Sequence, residues 1–345
     1  MESKTGMESK TIWLNGEFVD YEKATLHFMT PGLHYGIGVF EGIRCYGTNR
    51  GPAIFRLKEH IARFFHSALC LGFRELPFSE EQITEACTEI VSRNGFDDCY
   101  IRPLLYLESG GSGGGWNLNL DGGSPAIGIA AWQWKNYLGA EALEKGVRAN
   151  VSSFTRHHPN VTMTKAKISG SYANSFLAKT ESVRLGFDEA IMLDPQGYVA
   201  ECTGENLFLV KDGTIVTSPS APILEGITRD ALVALAGDVG IPVVERPVSR
   251  DQLYIADEVF VCGTAAECIA LREIDFRRIG RGTAGPVTRK LQKVFHAAVR
   301  GEHPRSNEWC TWVREAAAAY AAKQTGPRTR PSRLDGPSRR RWSHE

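Results

Sequence analysis

Apolar residues recur along this chain at two spacings, one typical of helices and one typical of strands. Across residues 57–72 they recur every three or four positions, which predicts an amphipathic helix ending at a glycine. A capping box that begins at Ser79 predicts a second helix. Residues 99–107 form a nearly continuous apolar run typical of a buried strand, and Asn15–Gly16 predicts a hairpin turn.

The second half of the chain shows the same mixture of patterns. Hairpins are predicted over 188–201 and 207–218, and helical patterns follow Gly226 and Pro286. We therefore expect a mixed α/β, or α+β, protein. A chain of 345 residues with 42% apolar side chains is long enough for two domains.

Charge and composition argue against several functional classes. The 40 basic and 40 acidic residues give a formal net charge of zero, which disfavours nucleic-acid binding. No apolar run approaches the roughly 18 residues that span a membrane, and the start lacks a secretory signal pattern. The eight cysteines include no CxxC pair, so we expect buried, reduced thiols in a cytoplasmic protein. We expect no metal site, because His157 and His158 have no histidine or acidic partners spaced around them.

Three polar features have the residue types that one cofactor requires. Lys167 precedes a run of small residues that leads into a helical pattern, and a desolvated lysine there can form a Schiff base. Glu201 ends a short apolar strand, where its carboxylate can face a ring nitrogen. The sequence Gly226-Ile227-Thr228 opens a helix, and helix N-termini bind phosphate. Each feature alone is ordinary, but a lysine, a carboxylate and a phosphate cradle together are what pyridoxal phosphate needs.

A longer motif connects two of these features. Between positions 201 and 229 the chain carries Glu201-x-Thr203-x-x-Asn206-Leu207-Phe208, then Ile215-x-Thr217, then Leu224-x-Gly226-Ile227-x-Arg229. This run resembles the class IV aminotransferase signature without a gap over 29 positions. The stretches HYGIGVFEGIR and YIRP are most similar to those of bacterial branched-chain amino acid aminotransferases. The resemblance extends over residues 12–312, and the glycine-rich loop 109–123 is its main departure.

The resemblance implies roles for individual residues. Lys167 is the expected catalytic residue, which would hold pyridoxal 5′-phosphate as a Schiff base and carry the proton, rather than the nearby Lys165. The expected cofactor-binding residues are Arg63, Lys167, Tyr172, Glu201, Ile227, Thr228 and Thr264. The expected substrate-binding residues are Tyr35, Phe40, Gly42, Tyr100, Arg102, Tyr137 and Ala265.

The implied fold is the two-domain fold-type IV of pyridoxal-phosphate enzymes, with a smaller N-terminal α/β domain and a C-terminal pseudo-barrel domain. We expect the N-terminal domain over 12–137, a linker over 138–146 and the cofactor-binding domain over 147–312. Residues 1–11, which contain a repeat, are expected to be disordered or a cloning remnant. The Ala-, Pro- and Arg-rich residues 313–345 are expected to form a disordered basic tail.

The implied activity is transamination of leucine, isoleucine and valine with 2-oxoglutarate or glutamate, in branched-chain amino acid biosynthesis. Its partners would be an amino acid and a 2-oxo acid, and the implied assembly is a homodimer or homohexamer that shares pocket residues across the interface. Other class IV enzymes remain alternatives: D-amino acid aminotransferases, (R)-amine transaminases and aminodeoxychorismate lyase. Two further alternatives are a pyridoxal-phosphate-binding protein without catalysis, and a scaffold whose basic tail is the functional part.

Overall fold

The computed structural model of the chain describes residues 9–109, 116, 118–134 and 140–318. Its helices are α1 (Pro31–Tyr35), α2 (Leu57–Leu71), α3 (Glu80–Asn94), α4 (Ala140–Lys145), α5 (Tyr172–Arg184), α6 (Ile227–Asp238), α7 (Arg250–Tyr254), α8 (Pro286–Val299) and α9 (Ser306–Trp309). Its first strands are β1 (Thr11–Leu14), β2 (Glu17–Asp20), β3 (Gly38–Phe40), β4 (Ile43–Thr48), β5 (Gly51–Phe55), β6 (Cys99–Ser109), β7 (Gly123–Gln133) and β8 (Val147–Val151). The later strands are β9 (Glu189–Leu193), β10 (Val199–Cys202), β11 (Asn206–Lys211), β12 (Thr214–Thr217), β13 (Val243–Glu245), β14 (Glu258–Gly263), β15 (Glu267–Ile274), β16 (Arg277–Arg278) and β17 (Cys310–Trp312).

The first half of the chain, together with the last strand, forms a sheet with the strand order β17-β5-β4-β6-β7-β1-β2. Strand β3 pairs with residues 104–106 of β6. The β1–β2 hairpin turns at Asn15 and Gly16, which both have positive φ, so this predicted turn is confirmed. The two predicted helices, α2 and α3, pack their apolar stripes on this sheet. Phe64 and Ile90 are completely buried in that core.

The second half forms a sheet with the order β10-β9-β8-β15-β14-β11-β12-β13, and β16 extends it beside β15. Strands β9, β8 and β15 run parallel, whereas β15, β14, β11 and β12 are antiparallel neighbours. An apolar core fills one side of this sheet, and α6 and α8 close a separate core on the other. Because that separate core also contains Tyr46 and Phe55 from the first sheet, it joins the two halves of the chain.

The last strand, β17, joins the sheet that the first half of the chain forms. Strand β17 pairs antiparallel with β5, so residues 310–312 form an edge of the first sheet. Val313 is buried in the same core as α2 and α3, and residues 313–318 are helical. The prediction that a disordered tail begins at residue 313 is therefore wrong for these six residues, and 319–345 lie outside the described residues. At the other end Thr11, which was expected to be disordered, pairs in β1.

Two short helices, α1 and α4, are not among those that the sequence predicted. Residues 31–35 form helix α1, because Pro31 suits the first helical turn and Gly36 adopts the left-handed conformation that ends it. Part of the expected linker 138–146 forms α4. Within the described ranges, none of the helices is both long and apolar enough to cross a membrane.

Candidate active site

A cleft of about 710 Å³, counted out to its open mouth, lies where the two halves of the chain meet. Side chains reach it from α2, from the start of α5, from β10, from the start of α6 and from the turn after β14. It contains every residue that the sequence assigned to cofactor binding: Arg63, Lys167, Tyr172, Glu201, Ile227, Thr228 and Thr264. These residues are separated by up to about 200 positions in the chain, so the fold alone brings them together.

Lys167 is directed into the cleft by its neighbours in the chain. Ala166 and Ile168 on either side are buried in the N-terminal core. Since Ile168 forms an antiparallel bridge with Val39, and successive side chains of extended backbone point in opposite directions, Lys167 points away from that core. Its amide donates to Ser67 Oγ and its carbonyl accepts from the Phe40 amide, both at 3.0 Å. The amine therefore extends from a backbone that is held on both sides.

Tyr172 lies at the first turn of α5 and meets the amine of Lys167. The Lys167 ammonium Nζ donates to the Tyr172 hydroxyl at 2.7 Å. The small residues between them allow two backbone segments to touch, because a Cβ on Gly36 would lie 2.8 Å from the Cα of Gly170. This close approach of the two backbone segments positions both Lys167 and Tyr172.

Glu201 is buried at the opposite wall of the cleft. Its carboxylate forms an ion pair with Arg156 at 2.7 Å and accepts a hydrogen bond from Asn206 Nδ2 at 3.2 Å. The Leu224 amide donates to it at 3.3 Å. Burial raises the pKa of Glu201, against the opposing charge of Arg156. This carboxyl group is therefore held rigidly, in an environment that favours sharing a proton with a basic ring nitrogen.

The third wall carries a cluster of N–H donors. Arg63 donates to Glu41 through Nε at 2.7 Å and Nη2 at 2.9 Å, and to the Glu225 carbonyl through Nη1 at 2.9 Å. Helix α6 begins beside it with Gly226 as its N-cap, which offers no side-chain acceptor to the first amides of the helix. Thr228 lies in this first turn and is buried. The helix start and the arginine together form a site that suits a phosphate.

Gly226 is required here for a steric reason. A Cβ at this position would lie 2.1 Å from Oδ1 of Asn206, whose amide nitrogen bonds both Glu201 and the Leu224 carbonyl. The glycine therefore lets the start of α6 pack closely against Asn206, which also binds Glu201.

Three of the residues assigned to substrate binding form a cluster that reaches the Lys167 amine through Phe40. The Phe40 ring packs edge-on against Tyr172 with ring centroids 4.8 Å apart, and Lys167 Nζ lies 4.9 Å from the Phe40 centroid. On the other side of Phe40, the Arg102 guanidinium lies 4.7 Å from that ring and 5.2 Å from the Tyr100 ring. The arginine that the sequence placed in an apolar strand is thus covered by aromatic faces.

Gly42 is also explained by this cluster. A Cβ on Gly42 would lie 1.8 Å from the Tyr100 hydroxyl, so any larger residue would displace the tyrosine. The Tyr100 ring packs against Trp132 and Trp134, with centroids 5.1 and 4.8 Å away. These two tryptophans were not predicted as site residues, although their two-residue spacing in a strand pattern was visible in the sequence.

None of the described residues assigned to substrate binding is among those that line the cleft itself, and the aromatic cluster adjoins it through the contacts of Phe40 with Tyr172 and Lys167. Tyr35 is 41% exposed and contacts His34 and Trp116, the latter from the glycine-rich loop. Ala265 lies in the turn that follows Thr264 and does not line the cleft. Tyr137 lies outside the described residues. The substrate side is therefore less complete than the cofactor side.

Sequence reasoning missed several residues that support the site. Glu41 binds Arg63 from a position inside an apolar run, and this position was a signal that its charge needed a partner. Arg156, which pairs with Glu201, lies in a loop and had no such signal. Lys165, the rival lysine, donates instead to the carbonyls of Ser220 and Ile223 and anchors the loop before α6. Among the described residues, no group of histidine, cysteine and acidic side chains is arranged to hold a metal ion.

Comparison with known proteins identifies the class of the chain. The family model described as amino-transferase class IV matches residues 38–274, and the chain belongs to this family. A curated relative, the branched-chain-amino-acid aminotransferase of Pseudomonas aeruginosa, is 48% identical over 303 residues, which cover 88% of this chain and 97% of that protein. Its counterpart in Escherichia coli K12 is 44% identical over 315 residues, which cover 90% of this chain and all of that protein.

A solved structure shares the fold over nearly its full length. The Escherichia coli branched-chain amino acid aminotransferase has a TM-score of 0.85 and 44% identity, covering 89% of this chain and all of that chain. The predicted fold class is thereby confirmed: the chain has the two-sheet fold of the fold-type IV enzymes. A second solved branched-chain amino acid aminotransferase, from T.th., is complexed with N-(5′-phosphopyridoxyl)-L-glutamate. It has a TM-score of 0.84 and 47% identity, covering 89% of this chain and 99% of that chain.

Proposed function

We propose that this chain is a pyridoxal-phosphate-dependent aminotransferase that moves the amino group of leucine, isoleucine or valine to 2-oxoglutarate. One observation carries the proposal: an amine, a buried carboxylate and a phosphate-binding helix start face each other across a single cleft. The family match and the branched-chain aminotransferases among its relatives support the same activity.

The residues of the cleft fit the cofactor at each of its polar positions. Two of the five N–H groups of Arg63 are left after its three protein bonds, and the first amides of α6 meet no side-chain cap. These donors, with Thr228 and Thr264, would hold the phosphate. Glu201 would bind the ring nitrogen, and Tyr172 would bind the phenolic oxygen. Bound pyridoxal phosphate would supply an aldehyde for amines and a ring that accepts the electron pair released at Cα.

The protein groups would then move protons and exclude water. Lys167, once released by the incoming amino acid, would take the proton from the Cα of that amino acid and return one to the cofactor, because its held backbone directs the amine into the cleft. The Tyr172 hydroxyl, 2.7 Å from that amine, would keep it in position. Glu201 would keep the ring nitrogen protonated, because its carboxylate is buried at the cleft, where it would pair with the charge of the protonated ring.

The aromatic cluster supports an apolar side chain in the substrate. The Phe40 ring lies beside the amine, with Arg102 and the Tyr100 ring next to it, and no carboxylate is part of this cluster within the described residues. Arg102 lies between these rings and would attract a substrate carboxylate. The phosphopyridoxyl-glutamate complex of the T.th. enzyme supports glutamate and 2-oxoglutarate as the second substrate pair.

We further propose that the active form is a homodimer or a larger assembly such as a homohexamer, in the cytoplasm. Phe28, Leu33 and Tyr35 are 72%, 64% and 41% exposed, which is unusual for large apolar side chains in one segment and supports burial against a second copy. Seven of the eight cysteines are buried and all eight are free, as expected for a reducing compartment. Light scattering at micromolar concentration would test the assembly, and a monomer with full activity would contradict it.

The activity is tested by titrating the purified protein with amines while recording the absorbance of bound pyridoxal phosphate. L-Leucine should convert the visible band to the shorter-wavelength band of pyridoxamine phosphate, and 2-oxoglutarate should restore it. If D-alanine or an (R)-arylalkylamine does this and L-leucine does not, the substrate assignment is wrong and another class IV activity applies. A protein that never develops the visible band would refute the cofactor assignment.

A further inference from the structure

Glu41 occupies an unusual position for a charged residue. It lies at the break between β3 and β4, directly between Phe40 and Gly42 of the substrate side, and its side chain is completely buried. Its amide donates to the Pro103 carbonyl at 3.0 Å, so the backbone at the break is held against β6. A buried carboxylate costs free energy unless it is paired, and this one needs an explanation.

The carboxylate of Glu41 is paired on all sides. It accepts two hydrogen bonds from Arg63, through Nε at 2.7 Å and Nη2 at 2.9 Å, so the pair is bidentate. It also accepts from Nδ1 of His60 at 2.7 Å and from the Gly42 amide at 3.3 Å. Burial alone would raise the pKa of Glu41, but the positive charge of Arg63 and the His60 bond lower it well below its usual range.

His60 completes the arrangement without adding charge. It is buried, and this burial lowers its pKa despite the neighbouring Glu41 carboxylate. A neutral imidazole that donates from Nδ1 fits the geometry, since an ionised carboxylate cannot donate. The cluster therefore contains one anion and one cation, and its net charge is zero before a ligand binds.

The bidentate pair leaves Arg63 with a defined orientation. One edge of the guanidinium is held by Glu41, and Nη1 is held by the Glu225 carbonyl from the loop that leads into α6. Two of its five N–H groups remain, and Arg63 lines the cleft beside Thr228. Without Glu41, the long arginine side chain would have many rotamers and one anchoring bond.

We propose that Glu41, oriented by His60, is a positioning residue that fixes Arg63 for the phosphate group of the cofactor. The inference rests on the proposed function in one respect, the binding of a phosphorylated pyridoxal in this cleft. Glu41 thereby acts on the phosphate-binding part of the cleft, although its neighbours Phe40 and Gly42 are assigned to substrate binding.

The test compares two ligands that differ only in the phosphate. Dissociation constants for pyridoxal phosphate and for pyridoxal are measured with the full-length protein as wild type, Glu41→Gln and Glu41→Asp. Glutamine keeps the shape of the side chain but loses its charge. Aspartate keeps the charge, but its side chain is one methylene shorter, so its carboxylate lies farther from Arg63. Both variants should bind pyridoxal phosphate about ten- to a hundredfold more weakly and pyridoxal within about threefold of wild type, because one oriented, charge-assisted contact is lost.

A matched control separates positioning from general damage to the fold. Glu258 is a buried carboxylate that accepts from the Val287 and Thr288 amides at the start of α8 and does not line the cleft. Glu258→Gln should lower the melting temperature without changing the ratio of the two dissociation constants. Arg63→Lys should reduce the preference for pyridoxal phosphate, expressed as the dissociation constant of pyridoxal divided by that of pyridoxal phosphate. Adding Glu41→Gln to Arg63→Lys should have little further effect, since both changes remove the same contact.

The outcomes distinguish this inference from the proposed function. If wild type prefers pyridoxal phosphate strongly and the Glu41 variants keep that preference, the positioning role is wrong and the function stands. Equal weakening for both ligands in the Glu41 variants also refutes the role, since it indicates a disturbed fold. If wild type does not distinguish the two ligands, the phosphate assignment itself fails.

Discussion

The two sides of the cleft are built in different ways. The cofactor side is assembled from strand ends, a helix start and buried ion pairs, and all its predicted residues meet within one chain. The substrate side has a packed part, from Phe40 to Tyr100, and an outlying part that includes the exposed Tyr35. A charged cofactor needs rigid donors in fixed places, which one folded chain supplies. The apolar side chain of the proposed substrate needs a covered surface, and we propose that a second copy of the chain supplies part of that surface.

The largest effect is expected at the amine. Lys167→Ala should abolish transamination, a loss of at least about a thousandfold, because general acid–base catalysis by a positioned group contributes at this scale. Turnover of L-leucine by the purified variant measures it. Lys165→Ala is the control, because Lys165 anchors the loop at Ser220 and should keep activity within about tenfold. Equal losses in the two variants would contradict the choice of Lys167.

A smaller but still large effect is expected at the carboxylate wall. Glu201→Ala should reduce turnover about a hundred- to a thousandfold, since it removes a preorganised charge and leaves Arg156 buried without its partner. The cofactor should still bind, as its phosphate contacts remain. Absorbance reports binding and stopped-flow mixing with L-leucine reports the rate. Wild-type rates in this variant would refute the assignment of Glu201 to the ring nitrogen.

Substitutions among the residues assigned to substrate binding should change KM for the amino acid more than the maximal rate. Phe40→Ala removes the ring between Tyr172 and Arg102 and should raise KM for L-leucine about tenfold, with a smaller change in the affinity for pyridoxal phosphate. Tyr35→Ala should raise KM as well if a second copy brings Tyr35 to the pocket, and it should have no effect if Tyr35 stays exposed. Steady-state kinetics at saturating cofactor separates these results.

The smallest effect concerns stability and pH. Glu205 is buried at the cleft, and burial together with the negative charge of Glu189 raises its pKa to about 8. A carboxyl with a raised folded-state pKa stabilises the fold below its unfolded pKa and loses that contribution as pH rises through the folded value. The stability of Glu205→Gln relative to wild type should therefore be greater at pH 9 than at pH 6, by on the order of 1 kcal/mol. Urea unfolding at both pH values measures the difference, and a pH-independent difference would contradict the shift.

How much the sequence predicted depends on whether a feature is local. The apolar period of α2 and the Asn15–Gly16 turn are local, and both are present. The partners of Arg63 and Glu201 are not local: Glu41 lies 22 residues from the first, and Arg156 reaches the second from a loop. Such pairs depend on where the two sheets meet, which no periodicity encodes. Helix α1 was not predicted, although Pro31 and Gly36 both signalled its ends.

The pairing of β17 with β5 has a consequence for how the molecule is made. The first sheet receives an edge strand from residues 310–312, after the whole second sheet has been passed in the chain. During synthesis from the N-terminus, β5 must therefore wait with an open edge until nearly all other described elements exist, and open edges invite wrong partners. The first sheet is therefore complete only after the residues of the second sheet have been made.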